Sequence, residues 1–168
     1  EDFWVAAAAP ADYDGDGAAE ARFTLRSAGL ASPSGMAWAA GKLYVANHNA
    51  VLAFDFTPGA TELAGEPKKL MDLPGAGNHW MRNLELSPDG KKLYVAVGSA
   101  SNIGEQGMAE EQGRAAIWEL DLASGKSRQY ANGMRNPNGM DWNPSTGELW
   151  ATAQERDMLG PDLVPDYL

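Results

Sequence analysis

The chain has no cysteine, which excludes disulfide staples and thiol chemistry and leaves the compartment open. Positive charge is scarce: 13 Lys and Arg stand against 23 Asp and Glu, a formal charge of −10. With the basic residues dispersed along the chain, that balance argues against nucleic acid as the main ligand. No apolar run approaches the roughly 20 residues that a membrane-spanning helix requires, so no membrane span is expected. Histidine is nearly missing, present only as His48 and His79. The sequence also lacks an initiator Met, and Ala6 to Ala9 has no basic flank of the kind a secretory signal carries, so it reads as ordinary chain.

What the chain does have is an internal repeat. Gly35-Met36-Ala37-Trp38 leads to Leu43-Tyr44-Val45-Ala46, Asn83-Leu84-Glu85-Leu86 to Leu93-Tyr94-Val95-Ala96, and Gly139-Met140-Asp141-Trp142 to Leu149-Trp150-Ala151-Thr152. Between the members of each pair stand Ala39-Ala40-Gly41, Ser87-Pro88-Asp89-Gly90 and Asn143-Pro144-Ser145-Thr146-Gly147, which carry the Pro, Asx and Gly chemistry of tight turns. A third apolar run follows, Ala50 to Phe54 and Ala115 to Leu120, and then a weaker fourth, Lys68 to Leu73 and Ser127 to Tyr130. Short antiparallel strands repeating in this order predict an all-β chain of four-stranded β-propeller blades. The competing reading is an all-β sandwich, but the recurrence of turns and inner strands in order favours the propeller. Propellers close with about 4–8 blades, and this chain holds only about three. It therefore reads as part of a longer protein, with an N-terminal segment at 1–21 and a partial propeller at 22–168, whose residues 22–30 form the outer strand of an earlier blade.

Asp12-Tyr13-Asp14-Gly15-Asp16-Gly17 copies the opening of a calcium loop, with Asp12, Asp14 and Asp16 at alternate positions and Gly17 for the sharp turn. The closing Glu is absent, because Phe23 stands in its place. A separate structural calcium and a solvated acidic turn are both open readings.

The repeat also gathers polar residues. In an antiparallel meander, the loop entering the innermost strand and the loop leaving the second strand lie at the same end. Entering loops contain His79 to Arg82 and Arg135 to Asn138; leaving loops contain Asn47-His48-Asn49, Gly98 to Asn102 and Gln154 to Asp157. Alignment of the copies puts His79 and Arg135 at equivalent positions, so a proton acceptor and a fixed cation are expected to lie close together. The connection from Gly98 to Gly113 is long for a compact domain, a length that often marks function. The Trp residues at 38, 118, 142 and 150 fall in strands and read as packing, whereas Trp80 lies in the loop beside His79.

Asn78-His79-Trp80-Met81-Arg82-Asn83, the turn Ser87 to Lys92, Val97-Gly98-Ser99-Ala100-Ser101-Asn102, Glu110 to Ile117, Arg135-Asn136-Pro137-Asn138-Gly139 and Glu155-Arg156-Asp157 with Asp162 to Leu168 together resemble the sorbosone dehydrogenase family. These are relatives of the soluble quinoprotein glucose dehydrogenases. The resemblance implies a six-bladed propeller that binds pyrroloquinoline quinone (PQQ) over its channel with calcium beside it, and that oxidises a sugar or related aldose in the periplasm or outside the cell. It implies an external electron acceptor as partner. It makes His79 the general base that takes the substrate hydroxyl proton while hydride passes to the quinone. Arg135 then polarises the quinone oxygen, Asn136, Trp80 and Asn83 contact the cofactor, and Asp157 and Met158 offer backbone carbonyls to calcium by position.

Two positions depart from the glucose enzymes' pattern. Ser99 stands where those enzymes carry an Asp that orients the His, and the calcium stretch reads Glu155-Arg156-Asp157. The basic residues that hold the quinone carboxylates are expected in later blades, beyond Leu168, so this portion is expected to be inactive alone. A calcium-dependent lactonase propeller and a non-catalytic binding propeller are the alternatives; the first wants acidic and Asn side chains in place of the His and Arg pair.

Overall fold

The computed structural model describes residues 5–7, 23–75, 77–160 and 163–168, so Asp12, Asp14 and Asp16 lie outside it. Every regular element among the described residues is a β-strand. β1 (Val5–Ala7) pairs antiparallel with β2 (Phe23–Arg26). The first four-stranded sheet is a meander of β3 (Gly35–Ala39), β4 (Lys42–Asn47), β5 (Ala50–Asp55) and β6 (Lys68–Asp72). The second repeats it with β7 (Leu84–Leu86), β8 (Lys92–Val97), β9 (Ala116–Asp121) and β10 (Ser127–Asn132). β11 (Asn136–Trp142) and β12 (Leu149–Gln154) form the third hairpin.

Burial explains why the middle strands are legible as apolar runs and the last strand of each sheet is not. β4, β5 and β8 are buried on both faces, so nearly every residue in them is apolar. β6 and β10 are mostly solvent-exposed and carry Lys, Ser, Arg and Gln. Alternate residues of β4 serve two cores. Tyr44 and Ala46 pack with Val51, Ala53, Leu84, Leu93, Val95, Val97 and Leu120 between the two sheets, while Leu43 and Val45 pack with Leu52, Phe54, Leu25 and Leu63 on the far side. Each fully buried Leu, Val or Phe contributes about 1.5–3 kcal/mol. The opposite face of β8 sends Tyr94 edge-on against Trp142 of β11, at 5.3 Å between ring centroids.

Two glycine requirements fix how the sheets meet. Ala40 and Gly41 have φ of 49° and 72°, the pair of left-handed residues that a two-residue hairpin needs to match strand twist. A Cβ on Gly35 would stand 2.2 Å from the Arg82 carbonyl oxygen, so β3 approaches the chain entering β7 as only glycine allows.

A polar cluster ties the second sheet together across β8, β9 and β10. The buried Glu119 accepts hydrogen bonds from Arg128 Nε at 2.9 Å and Tyr94 Oη at 2.9 Å, and pairs with Lys92 Nζ at 3.1 Å. Burial pushes its carboxyl up, but the bonds from Arg128, Tyr94 and Lys92 together outweigh it and hold the group below the usual Glu range. The folded protein therefore binds this proton less readily than the unfolded chain. The stability gained is complete above the ordinary Glu pKa of about 4.3 and disappears as pH falls through the folded value. Replacing Glu119 by Gln is expected to cost about 1–3 kcal/mol in urea unfolding at pH 7, with the gap between variant and wild type narrowing as pH falls below the ordinary Glu range. A gap that does not change with pH down to acid unfolding would remove the ionised carboxylate from this account.

Candidate functional site

The loops entering β7 and β11 and those leaving β8 and β12 meet at one end of the sheets, as the meander requires. Asn78 N–H donates to the Ala100 carbonyl at 2.9 Å, Ser99 N–H to the Arg135 carbonyl at 2.8 Å, and Asp157 N–H to Asn102 Oδ1 at 3.0 Å. Gly98 is the pivot. A Cβ there would stand 2.5 Å from both Asn136 Oδ1 and His79 Cβ, so base and amide close on the backbone from two sides.

His79 is partly buried, and its Nδ1 lies 2.9 Å from the Ser99 carbonyl oxygen and 3.0 Å from Ser99 Oγ. A carbonyl only accepts, so the proton sits on Nδ1. Ser99 Oγ donates to the Ser101 carbonyl at 2.6 Å, which leaves its own lone pairs for the same Nδ1–H. Nε2 is then the unprotonated nitrogen, with a lone pair suited to accepting a proton.

Arg135 is joined to His79 through Ser99, not directly: Ser99 gives its N–H to the Arg135 backbone and its C=O to the imidazole. The guanidinium has five N–H donors, and each has an acceptor. Nε donates to Asn102 O at 2.8 Å, the Nη1 pair to Gln154 O at 3.3 Å and to Glu155 O, and the Nη2 pair to Asn102 Oδ1 at 2.8 Å and Asp157 Oδ2 at 2.6 Å. Its side chain is 10% exposed, whereas that of Asp157 is 71% exposed, so Asp157 is the arm most readily exchanged. Asn136 Nδ2 donates to Gln154 Oε1 at 2.8 Å. Asn83, expected at the cofactor, gives its amide to Asn138 Oδ1 at 2.6 Å and to Asn138 O, stitching β7's entry to β11. Trp80 and Met81 are 42% and 45% exposed beside His79. His48 lies in the matching loop of the first sheet, its Nδ1 3.0 Å from Ala31 O.

Arg82 sits in the His79 motif, yet its role is apparent only in three dimensions. Although fully buried, it has no carboxylate partner among the described residues. Its Nη1 donates to His79 O at 2.7 Å and Met81 O at 2.9 Å, and its Nη2 to Pro74 O at 3.0 Å and Gly75 O at 3.3 Å. Burial, with Arg114 nearby, lowers the guanidinium to about 10, so it stays charged at neutral pH. The His79 loop is thus wrapped around a cation. The long connection after β8 is organised by carboxylates instead. Glu105 accepts from Ile103 N–H at 2.7 Å and Asn102 N–H at 3.3 Å, which together hold it down to about 2, and Glu111 accepts from Ala100 N–H and Ser101 Oγ, each at 2.8 Å.

Among the described residues, no group of three or more acidic or His side chains is arranged to hold a metal. Donors at 155–158 are hard oxygens of the kind calcium takes. Of these, Glu155 O and Asp157 Oδ2 accept from Arg135, and Asp157 O from Asn102 Nδ2 at 3.3 Å. Met158 has φ of 71° and is 95% exposed, so the chain turns sharply there. An open groove of about 450 Å³ over Met140, Trp142, Trp150 and Leu168 shares none of these residues and is the uncovered face of the third hairpin.

A family model described as TrAA12-like matches residues 14–163. Two solved structures of a Trichoderma reesei member of Carbohydrate-Active Enzymes Family AA12, an iodide and a calcium structure, superpose with TM-scores of 0.72 and 0.73 at 22% and 21% identity. They cover 83% and 86% of this chain, and the chain spans 37% and 39% of theirs. The holo form of the pyranose dehydrogenase PQQ domain of Coprinopsis cinerea superposes at 0.72 with 16% identity, over 86% of this chain and 38% of that one. A Borreliella burgdorferi protein described as uncharacterized is 29% identical over 90 residues, 54% of this chain and 23% of that protein.

Proposed function

The chain belongs to the TrAA12-like family, and from that premise we propose that it is part of a PQQ-dependent oxidoreductase that oxidises a sugar or related aldose. In this reading residues 22–168 supply about three blades of a six-bladed propeller, with the remaining blades completing the site. What supports the reading most directly is the His79 tautomer, Nδ1–H committed to Ser99 and Nε2 left as the base.

When bound, the quinone supplies a two-electron acceptor for hydride from the substrate carbon, and calcium supplies a Lewis acid for its oxygens. This chain's residues do the rest. His79 Nε2 takes the proton of the substrate hydroxyl as its carbon becomes a carbonyl, and Nδ1–H keeps its bond to Ser99. Arg135 sets a fixed cation at this end of the sheets, and with its exposed Asp157 arm exchanged it would hold the quinone oxygen. Asn136, held against Gly98, presents its amide on the other side of the backbone pivot. Trp80 would offer a flat, half-exposed face to the quinone ring. Asp157 and Met158 would offer calcium their backbone carbonyls. The Asp12, Asp14 and Asp16 run remains a second, structural calcium candidate.

The resemblance to sorbosone dehydrogenases refines the reading to an enzyme of the periplasm or exterior that passes electrons to an external acceptor. Full-length protein reconstituted with PQQ and calcium is expected to reduce an electron-accepting dye when given aldoses. No reduction with any aldose, joined to lactone hydrolysis that needs no quinone, would replace this reading with the lactonase.

A further inference from the structure

His79 needs a third group to orient it, and in hydrolytic triads and their relatives that group is a carboxylate bonded to the imidazole N–H. Here the N–H meets only neutral oxygens of Ser99. Arginines surround these loops: Arg82 lies under the same loop with Nη1 on His79 O, Arg114 reaches Gly75 O at 2.9 Å, and the Arg135 backbone carbonyl accepts from Ser99 N–H. Of the other carboxylates at this group of loops, Asp157 is paired with Arg135 Nη2 at 2.6 Å, Glu155 Oε1 accepts from Arg135 N–H at 3.4 Å, and Glu105 is turned away onto residues 102 and 103.

Glu111 is turned toward it. Its Oε2 accepts from Ala100 N–H at 2.8 Å, and Ala100 N–H belongs to the same peptide unit as the Ser99 carbonyl that receives His79 Nδ1–H at 2.9 Å. One peptide group therefore stands between carboxylate and imidazole. A negative charge on its N–H side enriches its carbonyl oxygen, which strengthens the bond at the other end. A second arm runs through hydroxyls: Ser101 Oγ donates to Glu111 Oε1 at 2.8 Å, and the Ser101 carbonyl accepts from Ser99 Oγ at 2.6 Å. Ser99, Ala100 and Ser101 are 6%, 5% and 0% exposed, so water does not screen the path.

We propose that Glu111 is the positioning carboxylate of His79, acting through the Ser99–Ala100 peptide, with Ser99 and Ser101 as its second arm. It rests on the reading of His79 as the base. Glu111 never touches substrate; it keeps the proton on Nδ1 and stabilises the imidazolium that forms at Nε2.

The test labels the histidines of full-length protein with ¹⁵N and follows the His79 ring by NMR, with His48 as an internal control. In Glu111→Gln the Nε2-unprotonated tautomer is expected to lose its dominance and the His79 titration midpoint to fall by about half a pH unit or more. Turnover by the PQQ-loaded enzyme should drop several-fold with KM little changed, and its acid limb should shift to the same degree. Glu111→Asp should restore part of the shift. Ser101→Ala, which leaves the peptide arm intact, should move the midpoint in the same direction by less, and it serves where Glu111→Gln does not fold. An unchanged His79 tautomer and midpoint in the folded variants would overturn the proposal. The NMR readout does not depend on turnover, so loss of the dehydrogenase reading and loss of the Glu111 link are separate results.

Discussion

Replacing His79 by Gln should lower dye reduction by about 10²–10⁴-fold while leaving PQQ binding essentially intact. Gln is close to the imidazole in size and reaches about as far as Nε2, so the loop is not asked to refold. It has no nitrogen lone pair to receive a proton. The loss should therefore appear in kcat and kcat/KM equally, since the interaction removed is made only as the proton leaves the substrate. PQQ titration by absorbance checks the binding half of the expectation. Turnover at the wild-type level would take His79 out of the reaction.

Replacing Arg82 by Met is expected to cost about 3–5 kcal/mol in urea unfolding, the scale seen when one member of a buried charged network is removed. Met fills much of the stem's volume, so the cost isolates hydrogen bonding from packing. Four backbone carbonyls, at Pro74, Gly75, His79 and Met81, lose a donor in a place that admits little water. Lys at the same position should recover a minor part, because an ammonium cannot serve four acceptors set out for a planar fork. An unfolding midpoint indistinguishable from wild type would show that the loop does not depend on this guanidinium.

The hairpins, their turns and the grouping of loops at one end follow from the sequence because period-two patterns and turn residues are local. Residues 22–30 were expected to hold the outer strand of an earlier blade; β2 lies there at Phe23–Arg26, pairs with β1 and packs Leu25 beneath the first sheet. The site is only partly local. His79 and Arg135 were expected as neighbours, and Ser99 lies between them, giving one edge to each. Arg135's full set of acceptors comes from two segments, Asn102 after β8 and residues 154–157 at the end of β12, and nothing in Arg135-Asn136-Pro137-Asn138 announces it. Asn83, expected at the cofactor, gives its side-chain amide to Asn138, a pairing set by how closely β7 and β11 pass and not readable in either motif. Ser99 in place of Asp looked like a lost carboxylate, and the path by which Glu111 returns to that peptide depends on the course of an irregular loop. The structural part of Arg82 is not legible in the sequence, because an arginine surrounded by carbonyls leaves no partner residue to read.

Gly98 carries a mechanical implication. With no room for even a methyl group between His79 and Asn136, the two flanks of the site are already at their inner limit against the Gly98 backbone. Compression at this end of the protein should then be resisted at the backbone itself, which sets a floor on the spacing between base and amide.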